Sequence, residues 1–306
     1  MAAKAGKHRH HPPEHSLLSQ TRQSLHRFDL KAKKGLGQHF LIDGEVLGLI
    51  TKAAELDPRD VVIEVGPGLG ILTKELVKLA GWVITVELDS KLASVLRHNL
   101  SPFPNKNIVN NDILQVEPEA LIREHQSEFP AAIVDPYRYK VVANLPYYIT
   151  SPTIHHFLQA PVRPQTMVVM IQKEVAEAIT AQPGQMSPLS VSIQFYGKPS
   201  IVSLVPARCF YPAPAVDSAI LRIDVHPEPP AEVTDAGSFL SLVHAGFAAS
   251  RKQLANSLAQ GLKIDKSDVI PLLERAGIAP QRRAGTLAIA AWVKLWQIFT
   301  EVEKAC

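Results

Sequence analysis

The feature that most constrains this chain is a short β-branched run that passes directly into a glycine-rich loop. Residues 61–65 read VVIEV and residues 66–70 read GPGLG, and helical spacing begins immediately afterwards. A buried strand, a glycine loop and a helix in this order are typical of the first unit of a doubly wound α/β sheet. In that architecture a ligand lies beyond the carboxyl end of the strand, against the N-terminus of the helix.

Strands and helices alternate on both sides of this loop. The amino-terminal part predicts an amphipathic helix over 17–28 and a second helix that begins after the N-cap Asp43 and ends near Leu56. Further strands are predicted at 82–88, 107–110, 140–143 and 166–171, with helices at 69–80 and 91–99 and two later strands at 201–205 and 218–225 that could pair. This alternation predicts an α/β fold with a mainly parallel, Rossmann-like sheet.

The composition changes at residues 226–235, which read HPEPPAEVTD. Such a proline-rich and acidic stretch is typical of a linker. Beyond it the spacing is helical, and helices are predicted at 239–248, 252–260, 267–276 and 286–302. We therefore expect a disordered basic leader over 1–15, an α/β domain over 16–228 and a small all-α domain over 229–306.

The net charge of +3 conceals an asymmetry. Residues 1–36 hold eight Lys or Arg and two acids, whereas the other 270 residues carry a net charge of −3. A basic amino end attracts polyanions through counterion release. It lacks the apolar segment of a secretory signal, and Glu14 and Asp29 count mildly against a mitochondrial transit peptide.

The remaining composition argues against two other classes of protein. The sequence has no run of about 20 apolar residues, so no membrane-spanning helix is expected. Its two cysteines, Cys209 and Cys306, cannot form a disulfide framework, which suits a reducing compartment. We therefore expect a cytoplasmic protein.

Four positions around the glycine loop indicate which ligand it holds. A dinucleotide site needs a third glycine where this chain has Ile71. Glu87, at the end of the second strand, can accept both hydroxyls of a ribose, and Glu64 can orient the loop or meet an ammonium group. S-adenosylmethionine (SAM) has these groups and no phosphate, so SAM is favoured and a dinucleotide stays the alternative. Asp112, after the third strand, could reach the adenine edge.

Residues 144–147, which read NLPY, follow the fourth strand of the predicted sheet. Pro146 restricts Leu145 to an extended conformation, which can direct the Leu145 carbonyl and the Asn144 amide oxygen at one point. Two such acceptors can hold both hydrogens of an exocyclic adenine amine, and the Tyr147 ring can stack on the base. This pattern predicts methyl transfer to an unpaired adenine without a metal ion.

Seven segments of the chain resemble, in the same order, those of one enzyme family. They are KKGLGQHFLID (33–43), VIEVGPGLGILT (62–73), VELD (86–89), NND (110–112), NLPYYIT (144–150), CFYPAPAVDSAILRI (209–223) and AGFAASRKQLANSL (245–258). They resemble the KsgA-type small-subunit ribosomal RNA adenine dimethyltransferases, over about residues 16–300. The resemblance implies a SAM-dependent, Rossmann-like methyltransferase with a helical domain that closes one side of an RNA cleft.

The resemblance also implies roles for individual residues. The residues that it implies as cofactor contacts are Gln38, His39, Leu41, Glu64, Gly66, Gly68, Glu87, Asp112 and Asn144. His39 takes a place that is often Asn in the family. Phe210 matches an aromatic residue that would enclose the target base opposite Tyr147. Arg251, Lys252, Arg282 and Arg283 could contact phosphates, and a solvated helix end is an equal alternative.

The activity implied by the family is dimethylation at N6 of two adjacent adenosines in the 3′-terminal hairpin loop of small-subunit (16S) rRNA. The expected partner is the 30S pre-ribosomal particle, bound by a monomer with a part in subunit biogenesis. Two alternatives stay open. One is an Erm-type enzyme that acts on large-subunit rRNA, and the other is a non-catalytic assembly or transcription factor with the same fold.

Overall fold

The computed structural model describes residues 16–30, 37–228, 230 and 232–305. The leader predicted over 1–15 lies outside the described residues. The helices are α1 (Leu17–Arg27), α2 (Gly44–Ala54), α3 (Ile71–Leu79), α4 (Ser90–Asn99), α5 (Pro118–His125), α6 (Thr150–Gln159), α7 (Lys173–Ile179), α8 (Pro188–Tyr196), α9 (Ala236–Phe247), α10 (Leu254–Leu262), α11 (Lys266–Arg275) and α12 (Ile289–Ala305). The strands are β1 (Phe40–Leu41), β2 (Val61–Val65), β3 (Trp82–Val86), β4 (Lys106–Val109), β5 (Lys140–Asn144), β6 (Thr166–Gln172), β7 (Gly197–Val205), β8 (Phe210–Tyr211) and β9 (Ser218–Val225).

Seven of these strands form one sheet in the order β4-β3-β2-β5-β6-β9-β7. The first five run parallel, and β9 pairs antiparallel with both β6 and β7. The predicted Rossmann-like sheet is confirmed, and so is the pairing of the two late strands. The carboxyl ends of β3, β2 and β5 lie side by side at one edge, where a ligand binds in sheets of this kind.

Each central strand is buried on both faces, which is why its sequence reads as a continuous apolar run. Along β2, Val61, Ile63 and Val65 face one apolar cluster, while Val62 faces the other. The second cluster is covered by α2 and α3, and α2 begins where the Asp43 side chain accepts hydrogen bonds from the backbone of Glu45 and Val46. The predicted Asp43 cap is therefore present.

The first apolar cluster continues into the C-terminal helices. Phe195 of α8 and Phe239 of α9 stack with ring centroids 4.5 Å apart, and both are fully buried. Trp292 of α12 is also fully buried in this cluster. The four C-terminal helices match the predicted ones within a few residues. Within the described ranges, no helix is long and apolar enough to cross a membrane.

Several elements were not predicted from the sequence. These are α5, α7, α8 and the small antiparallel pair of β1 with β8, in which Leu41 lies opposite Phe210. The expected division of the chain at residue 228 stays a prediction.

We expect Phe239→Ala to lower the free energy of unfolding by about 3–5 kcal/mol, because it removes a fully buried ring from a close-packed cluster. Denaturant titration followed by circular dichroism measures this change. The Phe239 ring on α9 packs against Phe195 on α8, and α8 belongs to the α/β part of the chain. The α/β part should therefore lose stability in the same transition as the C-terminal helices.

Ser241→Ala provides the matched control, because Ser241 is an exposed residue of the same helix. Its free energy of unfolding should change little. A Phe239→Ala variant that unfolds in two separate transitions, with the first confined to the C-terminal helices, would contradict the expectation of a shared core.

Candidate active site

An open cleft with about 1150 Å³ of empty space lies at the carboxyl ends of β2, β3 and β5. It is enclosed by residues 37–41, by the glycine loop after β2, by the residues that follow β3 and β4, and by residues 144–149 after β5. Twelve of the residues singled out from the sequence line it, namely Gln38, His39, Leu41, Glu64, Gly66, Gly68, Glu87, Asp112, Asn144, Leu145, Pro146 and Tyr147.

Two glycines of the loop allow close approach of neighbouring segments. Gly66 has φ +65°, and a Cβ at this position would lie 3.3 Å from Cδ of Pro146. Gly68 has φ +58°, and its Cβ would lie 3.1 Å from Cε1 of Phe40. A side chain at either position would combine unfavourable backbone torsions with a tight contact. The two glycines therefore allow the glycine loop to lie close to residues 37–41 and to residues 144–149.

The Glu87 carboxylate is held in place by two backbone N–H groups. Its Oε2 accepts from the Gly68 N–H at 3.1 Å, and its Oε1 accepts from the Asp89 N–H at 2.9 Å. Burial raises the pKa of Glu87, and these two hydrogen bonds oppose that shift. The carboxylate is thus fixed beside the glycine loop, where it can accept further hydrogen bonds from a ligand.

Glu64 carries a second buried carboxyl group in the wall of the cleft. Its side chain is 1% exposed, and its Oε2 has no hydrogen-bond partner among the described residues. Burial raises its pKa to about 8, and the Glu87 carboxylate contributes to the same shift. A buried carboxyl oxygen without a partner is costly, so Oε2 favours a ligand that brings a cation or a hydrogen-bond donor.

Asn144 and Leu145 line the cleft at the carboxyl end of β5. The Asn144 Nδ2 donates to the His39 carbonyl at 3.2 Å, which leaves Oδ1 as the acceptor of the amide. Leu145 is buried, and its N–H donates to the Met170 carbonyl at 3.1 Å. The Asn144 amide oxygen and the Leu145 carbonyl are therefore the two candidate acceptors at this end of the strand.

Tyr147 has two side-chain contacts, and its partner His39 is held by a third. Its hydroxyl lies 2.8 Å from Oγ of Ser218 at the start of β9. The His39 ring stacks on it with centroids 5.7 Å apart and planes 25° apart. The His39 Nδ1 in turn lies 2.7 Å from the Pro212 carbonyl oxygen, and because a carbonyl only accepts, Nδ1 carries a proton.

Phe210 is the predicted site residue that the structure does not bring into the cleft. In β8 it lies opposite Leu41, and its side chain packs in the apolar cluster beneath the sheet with 3% exposure. Alternation along a strand directs Phe210 and Tyr211 to opposite sides, and Phe210 is the inward one. The ring is therefore buried outside the cleft lining in this structure, and its role in enclosing a base stays a prediction.

Sequence reasoning missed Tyr148 and Leu88, which line the cleft and are 52% and 51% exposed. Leu88 directly follows Glu87 and Tyr148 directly follows Tyr147, and this adjacency to a predicted site residue was the available signal for both. It missed Ser218 and Pro212 as well, and no local pattern links them to positions 71 and 173 residues away. The Asp112 carboxylate accepts from the Leu114 N–H at 3.0 Å at the rim of the cleft.

Glu64→Gln should make stability less dependent on pH. The folded protein holds the pKa of Glu64 near 8, above the ordinary value of 4.5. Between these two pH values Glu64 ionises in the unfolded chain and stays protonated in the folded chain, so the free energy of unfolding falls as the pH rises. Gln does not ionise, so the variant lacks this fall. The unfolding free energy of the variant minus that of the native chain should therefore rise by a few kcal/mol from pH 5 to pH 8, measured by urea titration without ligand.

Glu124→Gln, at an exposed position of α5, is the matched control and should show no such trend. If the difference in unfolding free energy between Glu64→Gln and the native chain stays constant from pH 5 to pH 8, folding does not raise the pKa of the Glu64 carboxyl.

Comparison with known proteins shows the family of this chain. The family model described as ribosomal RNA adenine dimethylase matches residues 29–301. A ribosomal RNA small subunit methyltransferase A from Dehalococcoides mccartyi is 48% identical over 286 residues, which cover 94% of each chain. The protein of the same name from Geobacillus kaustophilus is 38% identical over 280 residues, covering 90% of this chain and 93% of the relative.

Two solved structures are also similar. The 23S rRNA methyltransferase ErmE is 31% identical with a TM-score of 0.66, covering 85% of this chain and 99% of that one. A dimethyladenosine transferase from Plasmodium falciparum is 25% identical with a TM-score of 0.70, covering 86% of this chain and 98% of that one. The chain therefore belongs to the ribosomal RNA adenine dimethylase family and is a methyltransferase.

Proposed function

We propose that this enzyme uses SAM to dimethylate N6 of two adjacent adenosines in the 3′-terminal hairpin loop of small-subunit (16S) rRNA. It acts as a cytoplasmic monomer on the 30S pre-ribosomal particle and takes part in subunit biogenesis. The observation that carries the proposal is that Asn144, Leu145, Tyr147, Glu64 and Glu87 all line one cleft.

The residues of the cleft fit SAM. Glu87 is fixed where it can accept the ribose hydroxyls, and the unpartnered Glu64 Oε2 suits the ammonium group, directly or through the loop. Gly66 and Gly68 keep the floor of the cleft free of side chains, and Asp112 stands at the rim for the adenine amine. When bound, SAM supplies a methyl group that its sulfonium makes electrophilic.

The chain's part in the reaction is to orient the adenine amine. Asn144 Oδ1 and the Leu145 carbonyl accept its two hydrogens, which favours a pyramidal nitrogen with its lone pair directed away from both acceptors. Oriented acceptors of this kind stabilise the positive charge that develops on the nitrogen. The nitrogen becomes cationic when it gains the methyl group and then releases one of its protons to water, so this role needs neither a strong base nor a metal ion.

Tyr147 holds the base of the target nucleotide. Its ring offers a face for stacking, and its π-electrons offset the positive charge of the reacting base. A base can reach this position only when it is unpaired or turned out of a helix, which suits a hairpin loop.

The exposed loops of the C-terminal helices provide a basic face for RNA. The Leu254 N–H donates to the Arg282 carbonyl at 2.6 Å, which brings the loop after α9 beside the loop after α11. Arg251, Lys252, Arg282 and Arg283 are exposed on these two loops. Cations grouped in this way contact phosphates and release counterions.

Small-subunit rRNA is favoured over large-subunit rRNA by the relatives. The relative at 48% identity is named for the small subunit, whereas ErmE, named for 23S rRNA, is 31% identical. An Erm-type activity is the second candidate, since ErmE shares the fold over most of both chains.

The proposed function is tested with tritiated SAM and 30S particles that lack the modification. We expect label in dimethyladenosine, identified by mass spectrometry of the digested rRNA, and none in particles already modified. Absence of label in adenine would reject the proposed reaction. Preferential labelling of protein-free large-subunit RNA would replace it with the Erm-type activity.

Asn144→Ala should lower methyl transfer by on the order of 10² or more, because it removes an acceptor that acts on the transition state. Affinity for SAM, measured by calorimetry, should change far less. Gln185→Ala removes an amide from an exposed loop and serves as the control. Near-normal turnover of Asn144→Ala would exclude the proposed role of the amide.

Arg251→Gln combined with Lys252→Gln should weaken binding to the particle and leave SAM affinity unchanged. If both side chains contact phosphates, the slope of log K against log salt should fall by about 0.9 for each charge removed. The pair Lys52→Gln and Lys198→Gln removes the same charge from exposed positions elsewhere. Equal salt slopes for the two double variants would show that the basic face does not contact RNA.

A further inference from the structure

His39 contacts three separate parts of the active site. Its carbonyl accepts from Asn144 Nδ2 at 3.2 Å, its Nδ1 donates to the Pro212 carbonyl at 2.7 Å, and its ring stacks on Tyr147. The first contact uses the backbone and is available to any residue. The other two depend on the imidazole side chain.

The contacts of Tyr147 explain why a stacked neighbour matters. The hydrogen bond between its hydroxyl and Ser218 fixes the far end of the side chain. That bond lies on the axis about which the ring rotates, so it leaves the ring plane undetermined. A ring packed against one face of Tyr147 sets the plane and leaves the opposite face for another ring.

The His39 ring is itself fixed. The short hydrogen bond from Nδ1 to the Pro212 carbonyl anchors it to the segment that joins β8 and β9. Ser218, at the start of β9, lies a few residues further along the same part of the chain. Tyr147 is therefore held at its hydroxyl and at one face by anchors that both depend on residues 212–218.

We propose that the His39 side chain is a positioning residue, which orients the Tyr147 ring so that its opposite face stacks on the target adenine. This inference rests on the proposed function. It differs from the role implied by family resemblance, in which His39 contacts the cofactor. A positioning role predicts a loss of turnover with little change in SAM affinity.

Three substitutions separate the two side-chain contacts. His39→Phe keeps a ring for stacking and lacks the Nδ1 donor. His39→Asn keeps a donor in the same place, because Asn Nδ2 and His Nδ1 are both bonded to Cγ, and lacks the ring. His39→Ala lacks both, and all three keep the backbone carbonyl that holds Asn144. The same changes at His226, which is exposed, are the controls.

For the full-length enzyme on 30S particles, we expect His39→Ala to lower kcat by at least about tenfold. The dissociation constant for SAM should stay within about threefold of that of the native chain. His39→Phe and His39→Asn should each recover part of the lost turnover. Melting temperatures of all variants establish that they are folded.

A double-mutant cycle tests whether His39 acts through Tyr147. In a Tyr147→Ala background, the further change His39→Ala should lower kcat by less than about twofold, because the ring to be positioned is already gone. An equal loss in both backgrounds would overturn the proposal. So would unchanged or faster turnover of His39→Ala, or a fall in SAM affinity as large as the fall in kcat/KM.

A spectroscopic measurement separates this inference from the proposed function. In protein with ring-labelled tyrosine, the Tyr147 signals are assigned by their loss in Tyr147→Phe. They should shift when the His39 ring current is removed in His39→Ala and His39→Asn, and far less in His39→Phe. Tyr147 signals that are identical in all variants would overturn the stacking even if methyl transfer is confirmed. If the native enzyme transfers no methyl group, the proposed function fails, and these signals still decide the stacking.

Discussion

The parallel pairing of β2 with β3 on one side and β5 on the other determines where the reactive groups of this chain meet. Glu87 follows β3, Gly66 follows β2 and Asn144 ends β5, and these strand ends are neighbours in the sheet. The Gly66 N–H donates to the Val86 carbonyl at 2.9 Å, which joins the glycine loop to the end of β3. The order of the strands in the sheet therefore brings a carboxylate, a glycine loop and an amide to one cleft.

The electrostatics of the cleft follow from what that sheet edge buries. Glu64 and Glu87 are both buried, and burial raises the pKa of each. The Glu64 Oε2, which has no hydrogen-bond partner among the described residues, favours a ligand that brings a cation or a hydrogen-bond donor to this depth. The loop differs from a dinucleotide site by Ile71, which stands where the dinucleotide fingerprint has its third glycine.

The sequence predicted those features that depend on local pattern. Buried strands such as VVIEV, the Asp43 cap and the helices beyond residue 235 were placed within a few residues, because apolar spacing and capping chemistry are local. The α7–α8 region was missed, since its helices are short and α8 is apolar on most of its surface. The burial of Phe210 outside the cleft lining could not be predicted, because a motif identifies a residue type and says nothing of which side of a two-residue strand it faces.

The contacts that the sequence could not predict are long-range ones, and they fix the orientation of the site residues. Asn144 meets His39 across 105 residues, and Tyr147 meets Ser218 across 71. In the proposed mechanism the transfer site consists of neutral acceptors and an aromatic face, so its rate depends on orientation. A small tilt of Tyr147 or of the Asn144 amide would then lower the rate. Under this proposal Ser218 and Pro212 contribute to catalysis through the side chains that they hold in place.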